Sequence, residues 1–187
     1  MAETNDYRVI GLFGLIGSGK SSLNKSLESN PHYNPIFKEE TGFEWYTQMS
    51  GDSDHHSYEC EIHRRFSEDP LFLMKLCARK LVPGRINTID SVNTPVEMNF
   101  LRGYDSKIVG IWRNQEARKE KILGGRRKLI RSSEPTTEEE FHRLDDRVLK
   151  YMNEGGNLFQ DADHIIVNDG EFDQLNSSFR DYANRQW

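Results

Sequence analysis

Cysteine is scarce in this chain. Cys60 and Cys77 are the only two in 187 residues, too few for a disulfide framework and without metal-type spacing between them. Long apolar runs are missing as well: none approaches the roughly 18 residues of a membrane helix. The opening stretch from Met1 to Arg8 is polar and lacks the charged-then-apolar pattern of a signal peptide. These absences predict a soluble, cytoplasmic protein with reduced thiols. Positive charge is not in excess either, with 25 Lys and Arg against 30 Asp and Glu, a net charge of -5. That balance argues against a general polyanion binder, so no long nucleic acid and no membrane partner is expected.

What charge there is falls unevenly. Between Arg113 and Arg131 lie eight basic residues (Arg113, Arg118, Lys119, Lys121, Arg126, Arg127, Lys128 and Arg131) against Glu116 and Glu120. The segment is therefore +6, and the remaining 17 basic and 28 acidic residues sum to -11. One concentrated basic stretch in an acidic protein points to a localised anion site.

Short apolar runs alternate with helical patterns. Arg8 to Phe13, Pro35 to Phe37, Arg85 to Asp90, Lys107 to Trp112 and His164 to Val167 read as strands. Helices are expected over Lys20 to Ser29, Pro70 to Leu81, Thr94 to Arg102, Glu116 to Leu123, Thr137 to Met152 and Phe172 to Ala183. Thr94-Pro95-Val96-Glu97 and Thr137-Glu138-Glu139-Glu140 carry capping-box chemistry at two helix starts. The second is followed by an apolar stripe at Phe141, Leu144, Val148 and Met152, and Gly155-Gly156 closes that helix. The alternation predicts a single three-layer α/β domain over 1–187 with a parallel sheet. The polar stretch from Gly51 to Glu68 shows no periodicity, and it belongs to an expected acceptor-side subdomain over 38–82.

Gly14-Leu15-Ile16-Gly17-Ser18-Gly19-Lys20-Ser21 satisfies G-x-x-x-x-G-K-[ST] between a strand and a helix. Glycines at 14, 17 and 19 let the backbone turn its N–H groups inward around phosphate oxygens, with Ser18 and Ser22 contributing beside them. Lys20 is expected to reach the β- and γ-phosphates of ATP, and Ser21 to ligate Mg²⁺. A second metal-side carboxylate belongs at the end of a neighbouring strand, and Asp90 fits that place. Gly124-Gly125 next to arginines suits a lid over about 113–135, with Arg118, Arg126 and Arg127 neutralising charge on the transferred phosphoryl group. His55, His56, Cys60 and His63 are read as part of a polar acceptor-side surface, because the adjacent histidines point apart on a helix.

Three segments together resemble P-loop nucleotide kinases of the nucleoside-monophosphate kinase superfamily. They are Gly14 to Ser21, Ile89-Asp90-Ser91-Val92-Asn93-Thr94-Pro95-Val96-Glu97, and Ala162-Asp163-His164-Ile165-Ile166-Val167-Asn168-Asp169-Gly170. The last two are similar to segments of dephospho-CoA-kinase-like and phage deoxynucleoside-monophosphate-kinase-like proteins. The resemblance implies a five-stranded sheet in the order 2-3-1-4-5 and a lid after strand four. It also implies adenine held near Asn168, Asp169 and Gly170, and a (deoxy)nucleoside monophosphate as acceptor. Asn93 stands where those families often carry an arginine. The missing apolar-Asp-x-Asp segment after the first helix argues against dephospho-CoA kinase itself. Glu39 or Glu40 with Trp45 is similar instead to the base-like glutamate and nearby tryptophan of deoxynucleoside kinases. A carboxylate base serves a hydroxyl acceptor, whereas a monophosphate is already an anion at neutral pH. The competing reading is a regulatory nucleotide-binding protein without kinase activity, carried by Asn93 and by the polar Asn87-Thr88 inside strand three. Guanine-specific N-K-x-D and transporter-type L-S-G-G-Q segments do not occur. A monomer or homodimer is expected.

Overall fold

The structure, a computed structural model, describes residues 6–124 and 135–187. Five strands, β1 (Arg8–Phe13), β2 (Tyr33–Ile36), β3 (Ile86–Ile89), β4 (Asp105–Trp112) and β5 (His164–Val167), form one sheet in the order β2-β3-β1-β4-β5. Every pairing is parallel. The parallel sheet is the one expected from the alternation of strands and helices, and the order is the one that the kinase resemblance implies.

Alternation along the central strands builds two cores, one on each face. Val9 and Phe13 of β1 pack with Ile89 and Ile108 on one face. Residues from α4 (Phe72–Ala78), α5 (Pro95–Leu101), α7 (Glu138–Asn153) and α8 (Leu158–Asp161) cover them: Met74, Met98, Leu101, Met152 and Leu158. Ile10 and Leu12 point to the other face, against Leu23 and Leu27 at α1 (Lys20–Ser26) and Leu175 and Phe179 of α9 (Phe172–Gln186). Each such side chain, fully withdrawn from water, contributes about 1.5–3 kcal/mol. Pro35 is tolerated in β2 because that strand lies at the sheet edge.

The two polar residues of β3 are fully buried and fully engaged. Thr88 Oγ1 donates to Asn24 Oδ1 of α1, while the Asn87 amide bonds backbone groups of Arg8 and Val82 and the side chain of Asn34. They knit β3 to its surroundings, so strand three needs no functional reason for its polarity.

Helical structure exceeds the expectation. The segment 38–82 holds α2 (Lys38–Ser50), α3 (His55–Glu68) and α4. Helix α3 starts on Asp54, whose side chain accepts the Ser57 N–H, and Tyr58 is its one buried residue. Helix α6 (Gln115–Leu123) begins on Asn114. Among the described residues no helix is long and apolar enough to cross a membrane.

Candidate active site

The phosphate loop leaves β1 and enters α1 with Gly14, Gly17 and Gly19 at φ 150°, 77° and 106°. Gly19 is the N-cap of α1 and has no room for a side chain: a Cβ there would lie 2.6 Å from Asn168 Nδ2. Gly14 is as confined, since a Cβ on it would lie 2.5 Å from the Ile111 carbonyl oxygen. The turn thus depends on glycine for both backbone conformation and space. Ser18 is buried, and its Oγ has no hydrogen-bond partner among the described residues. Lys20 is the first residue of α1, so its backbone lies at a helix N-terminus, where the aligned N–H groups favour an anion.

Asp90 follows β3 at the same end of the sheet. Its Oδ2 accepts from Ser21 Oγ at 3.2 Å and its Oδ1 accepts the Lys38 N–H at 3.0 Å. Because the Ser21 proton is turned toward Asp90, the hydroxyl lone pairs remain for another ligand. Two hard oxygens converging beside a phosphate loop suit Mg²⁺, which takes one or two protein oxygens and completes its shell with phosphate and water. Among the described residues no group of three His, Cys, Asp or Glu side chains could hold a metal ion. His56, Cys60 and His63 on α3 therefore make no such site.

Ser91, directly after Asp90, has φ 61°, the single non-glycine residue with positive φ among those described. Residues held in such sparsely populated backbone conformations cluster at active sites and ligand clamps. The following turn is held by Glu97, whose Oε2 accepts the Asn93 N–H at 2.7 Å while Oε1 accepts from Lys38 Nζ at 2.8 Å. Thr94 caps α5 as expected, but the glutamate reaches one residue further back than a capping box requires. The Lys38–Glu97 pair is buried, with side chains 7% and 1% exposed. Cys77 lies among the same charges, and burial pushes its thiol up to about 12, so it stays protonated.

Glu40, in the first turn of α2, has its carboxyl raised above the ordinary 4.5. Glu40 is an exposed residue, and partial desolvation of its carboxyl is the larger cause, followed by the Asp90 and Glu28 carboxylates, with Lys25 opposing. Further along α2, Trp45 meets the Phe72 ring edge-on at 4.7 Å, and the Arg65 guanidinium lies over both rings at 5.4 and 5.8 Å.

Across the sheet, Asn114, Glu116, Ala117, Lys119, Glu120, Leu123 and Asp169 line an open cleft of ≈ 760 Å³. Asp169 is thus at a cavity large enough for a nucleotide base. Asn168 does something else: it is buried, and its Nδ2 donates to the Ser18 carbonyl at 2.6 Å. Gly170 is exposed beyond it. Arg118, expected over the phosphates, is 3% exposed and lies against the outside of the loop in a two-pronged ion pair with Asp145. A guanidinium neutralised in this way is not available to charge on a transferred group. Arg126 and Arg127 lie outside the described residues.

Sequence reading misses Lys38 and Asp145. Asp145 carries a signal, since it sits within the α7 stripe of Phe141, Leu144 and Val148, where a charge needs a buried partner. Lys38 carries none, as a lysine after a strand is ordinarily solvated.

No protein-family model matches the chain, and no curated protein matches it. Solved structures do. A shikimate kinase from Acinetobacter baumannii in complex with shikimate has a TM-score of 0.60 and 16% identity, covering 96% of this chain and 94% of that one. For a shikimate kinase from Aquifex aeolicus the TM-score is 0.57, with 17% identity and coverage of 94% and 96%. A gluconokinase from Sinorhizobium meliloti gives 0.51 at 12% identity, covering 92% and 89%. The fold is that of small-molecule P-loop kinases. At these identities the likeness is one of architecture, and it extends over nearly the whole of each chain.

Proposed function

We propose that the chain is an ATP- and Mg²⁺-dependent phosphotransferase acting on a hydroxyl of a small acceptor. The observation that carries this reading is the Ser21–Asp90 contact at the foot of an intact phosphate loop. Phosphoryl transfer asks a protein mainly for positioning and charge neutralisation. Gly14 to Ser22 would cradle the donor phosphates, Lys20 would balance their charge, and the cleft beside Asp169 would take the base. Ser21 and Asp90 would hold Mg²⁺, which when bound would supply charge neutralisation for the donor phosphates. The fold shared with shikimate kinases and a gluconokinase supports a small acceptor.

A hydroxyl acceptor is favoured over a nucleoside monophosphate by the charges on the acceptor side. Lys38 is committed to Glu97, and Arg65 to Glu61 and two aromatic rings. Asp90 and the raised Glu40 carboxyl would oppose a second dianion, whereas Glu40 can accept a hydroxyl proton. Trp45 and Phe72 offer an apolar wall for a ring-bearing acceptor.

The test is ADP release from ATP and Mg²⁺ with a panel of nucleosides, nucleoside monophosphates, shikimate and gluconate. Turnover stimulated by a hydroxyl compound is expected. Stimulation by monophosphates alone would overturn the hydroxyl reading, and the lack of stimulation by any compound would overturn the kinase reading. Lys20→Ala is expected to lower kcat by about 10²–10³-fold with the fold retained, as for other losses of an electrostatic stabiliser.

A further inference from the structure

A loop that turns its amides inward turns carbonyls outward, and a carbonyl buried there needs a donor. Two outward carbonyls of the phosphate loop receive one from distant side chains. Asn168 serves Ser18, and Arg118 Nη1 donates to the Ile16 carbonyl at 3.1 Å. The same guanidinium is bound on its other edges. Nη1 and Nη2 donate to the two Asp145 oxygens at 2.6 and 2.7 Å, and Nε donates to the Arg113 carbonyl at 3.1 Å. Asp145 is 1% exposed and also accepts from Gln115 Nε2 at 3.3 Å.

The loop tip also rests directly on α6. A Cβ added to Gly17 would lie 3.2 Å from Arg118 Cβ and 3.3 Å from Ile122 Cγ1. Arg118 and Ile122 are the buried residues of that helix, while Glu116, Lys119, Glu120 and Leu123 line the cleft. Helix α6 is thus a wall shared by the loop and the cleft, and Arg118 links it to the loop backbone through a fork of donors. Lysine could supply the charge but not four directed bonds from one planar group.

We propose that Arg118, oriented by Asp145, is a positioning residue for phosphate binding: it holds the Ile16 carbonyl outward and so keeps the loop amides turned toward the phosphates. The inference rests on the loop being a nucleotide phosphate site. Its action is through the backbone, so phosphate affinity depends on it and affinity for the base does not.

The experiment is calorimetric titration of wild type, Arg118→Lys and Asp145→Asn with inorganic tripolyphosphate and, separately, with adenosine. Thermal unfolding is recorded for each protein. In both variants tripolyphosphate is expected to bind at least tenfold more weakly, with adenosine affinity within twofold of wild type. Asp145→Asn keeps the size of the side chain, and retained adenosine binding reports a folded cleft. Tripolyphosphate affinity within twofold of wild type in the variants would overturn the proposal while leaving the phosphate site intact. Equal weakening of both ligands would overturn it too, by showing a general structural role. A wild-type protein that binds no tripolyphosphate would overturn the nucleotide-site reading itself, and with it this one.

Discussion

Ser91 has φ 61° in the turn that aims Asp90 at Ser21. A left-handed serine costs about 1 kcal/mol relative to glycine in the folded state, and glycine costs some of that back in the unfolded chain. Ser91→Gly is therefore expected to leave stability unchanged or raise it by up to about 1 kcal/mol, as read by urea denaturation. Glu40 makes a second prediction at this scale. Its carboxyl is raised, so as pH falls its base form is lost above the ordinary 4.5. The acid limb of kcat/KM should lie above that value, and Glu40→Gln should remove the limb while lowering turnover about 10²–10⁴-fold. Stability runs the other way, because a raised carboxyl favours the folded state at low pH and loses that contribution as pH rises through its folded value. Legibility at this scale divides by chemistry. The glycines, Lys20, Ser21 and Asp90 can be named because their residue types are tied to a motif or a strand end. Arg118 can be picked out as important, but the sequence puts it on the wrong side of the loop, since nothing local reveals that Asp145 neutralises it.

Among the elements, those with explicit caps or periodic apolar stripes are legible. Helix α7 has both, and its capping box forms in full between Thr137 and Glu140. Thr137→Ala should cost about 1 kcal/mol, measured as a shift in the urea midpoint with an unchanged slope. Helices α2 and α3 are not legible. They bury few residues, and α3 is laced on its surface by Glu61, Arg64, Arg65 and Glu68 at helical spacing. Hydrogen bonds from Arg64 and Arg65 hold the Glu61 carboxyl down at about 2. A depressed carboxyl stabilises above its unfolded pKa, and the contribution fades as pH drops from about 4.5 toward 2. The difference in thermal midpoint between wild type and Glu61→Gln should accordingly narrow between pH 7 and pH 3.

For the whole molecule, the consequential contact is Lys38 with Glu97. It ties the head of α2 to α5 beneath Asp90, and Lys38 serves both ends by giving its amide to Asp90 and its ammonium to Glu97. Removing one partner leaves the other charged and buried. Lys38→Met or Glu97→Gln alone should cost about 3–5 kcal/mol in urea unfolding, and the double replacement less than the sum of the two. The charge partition of the chain also belongs here. The described part of the +6 segment is not a uniform cationic face, because Arg118 is neutralised by Asp145 and Lys119 bonds Glu116 and Glu138.

The phosphate loop, the alternation of strands and helices, and the capped starts of α5 and α7 can be read from the chain alone, because each depends on residues within a turn or two of one another. The partners of the site cannot. Ser21 and Asp90 are 69 positions apart, Lys38 and Glu97 are 59 apart, and Arg118 and Asp145 are 27 apart. Which of these charges meet follows from the order β2-β3-β1-β4-β5 and the close packing of helices over it. Burial then removes the water that would otherwise have satisfied each group separately, and leaves them to one another.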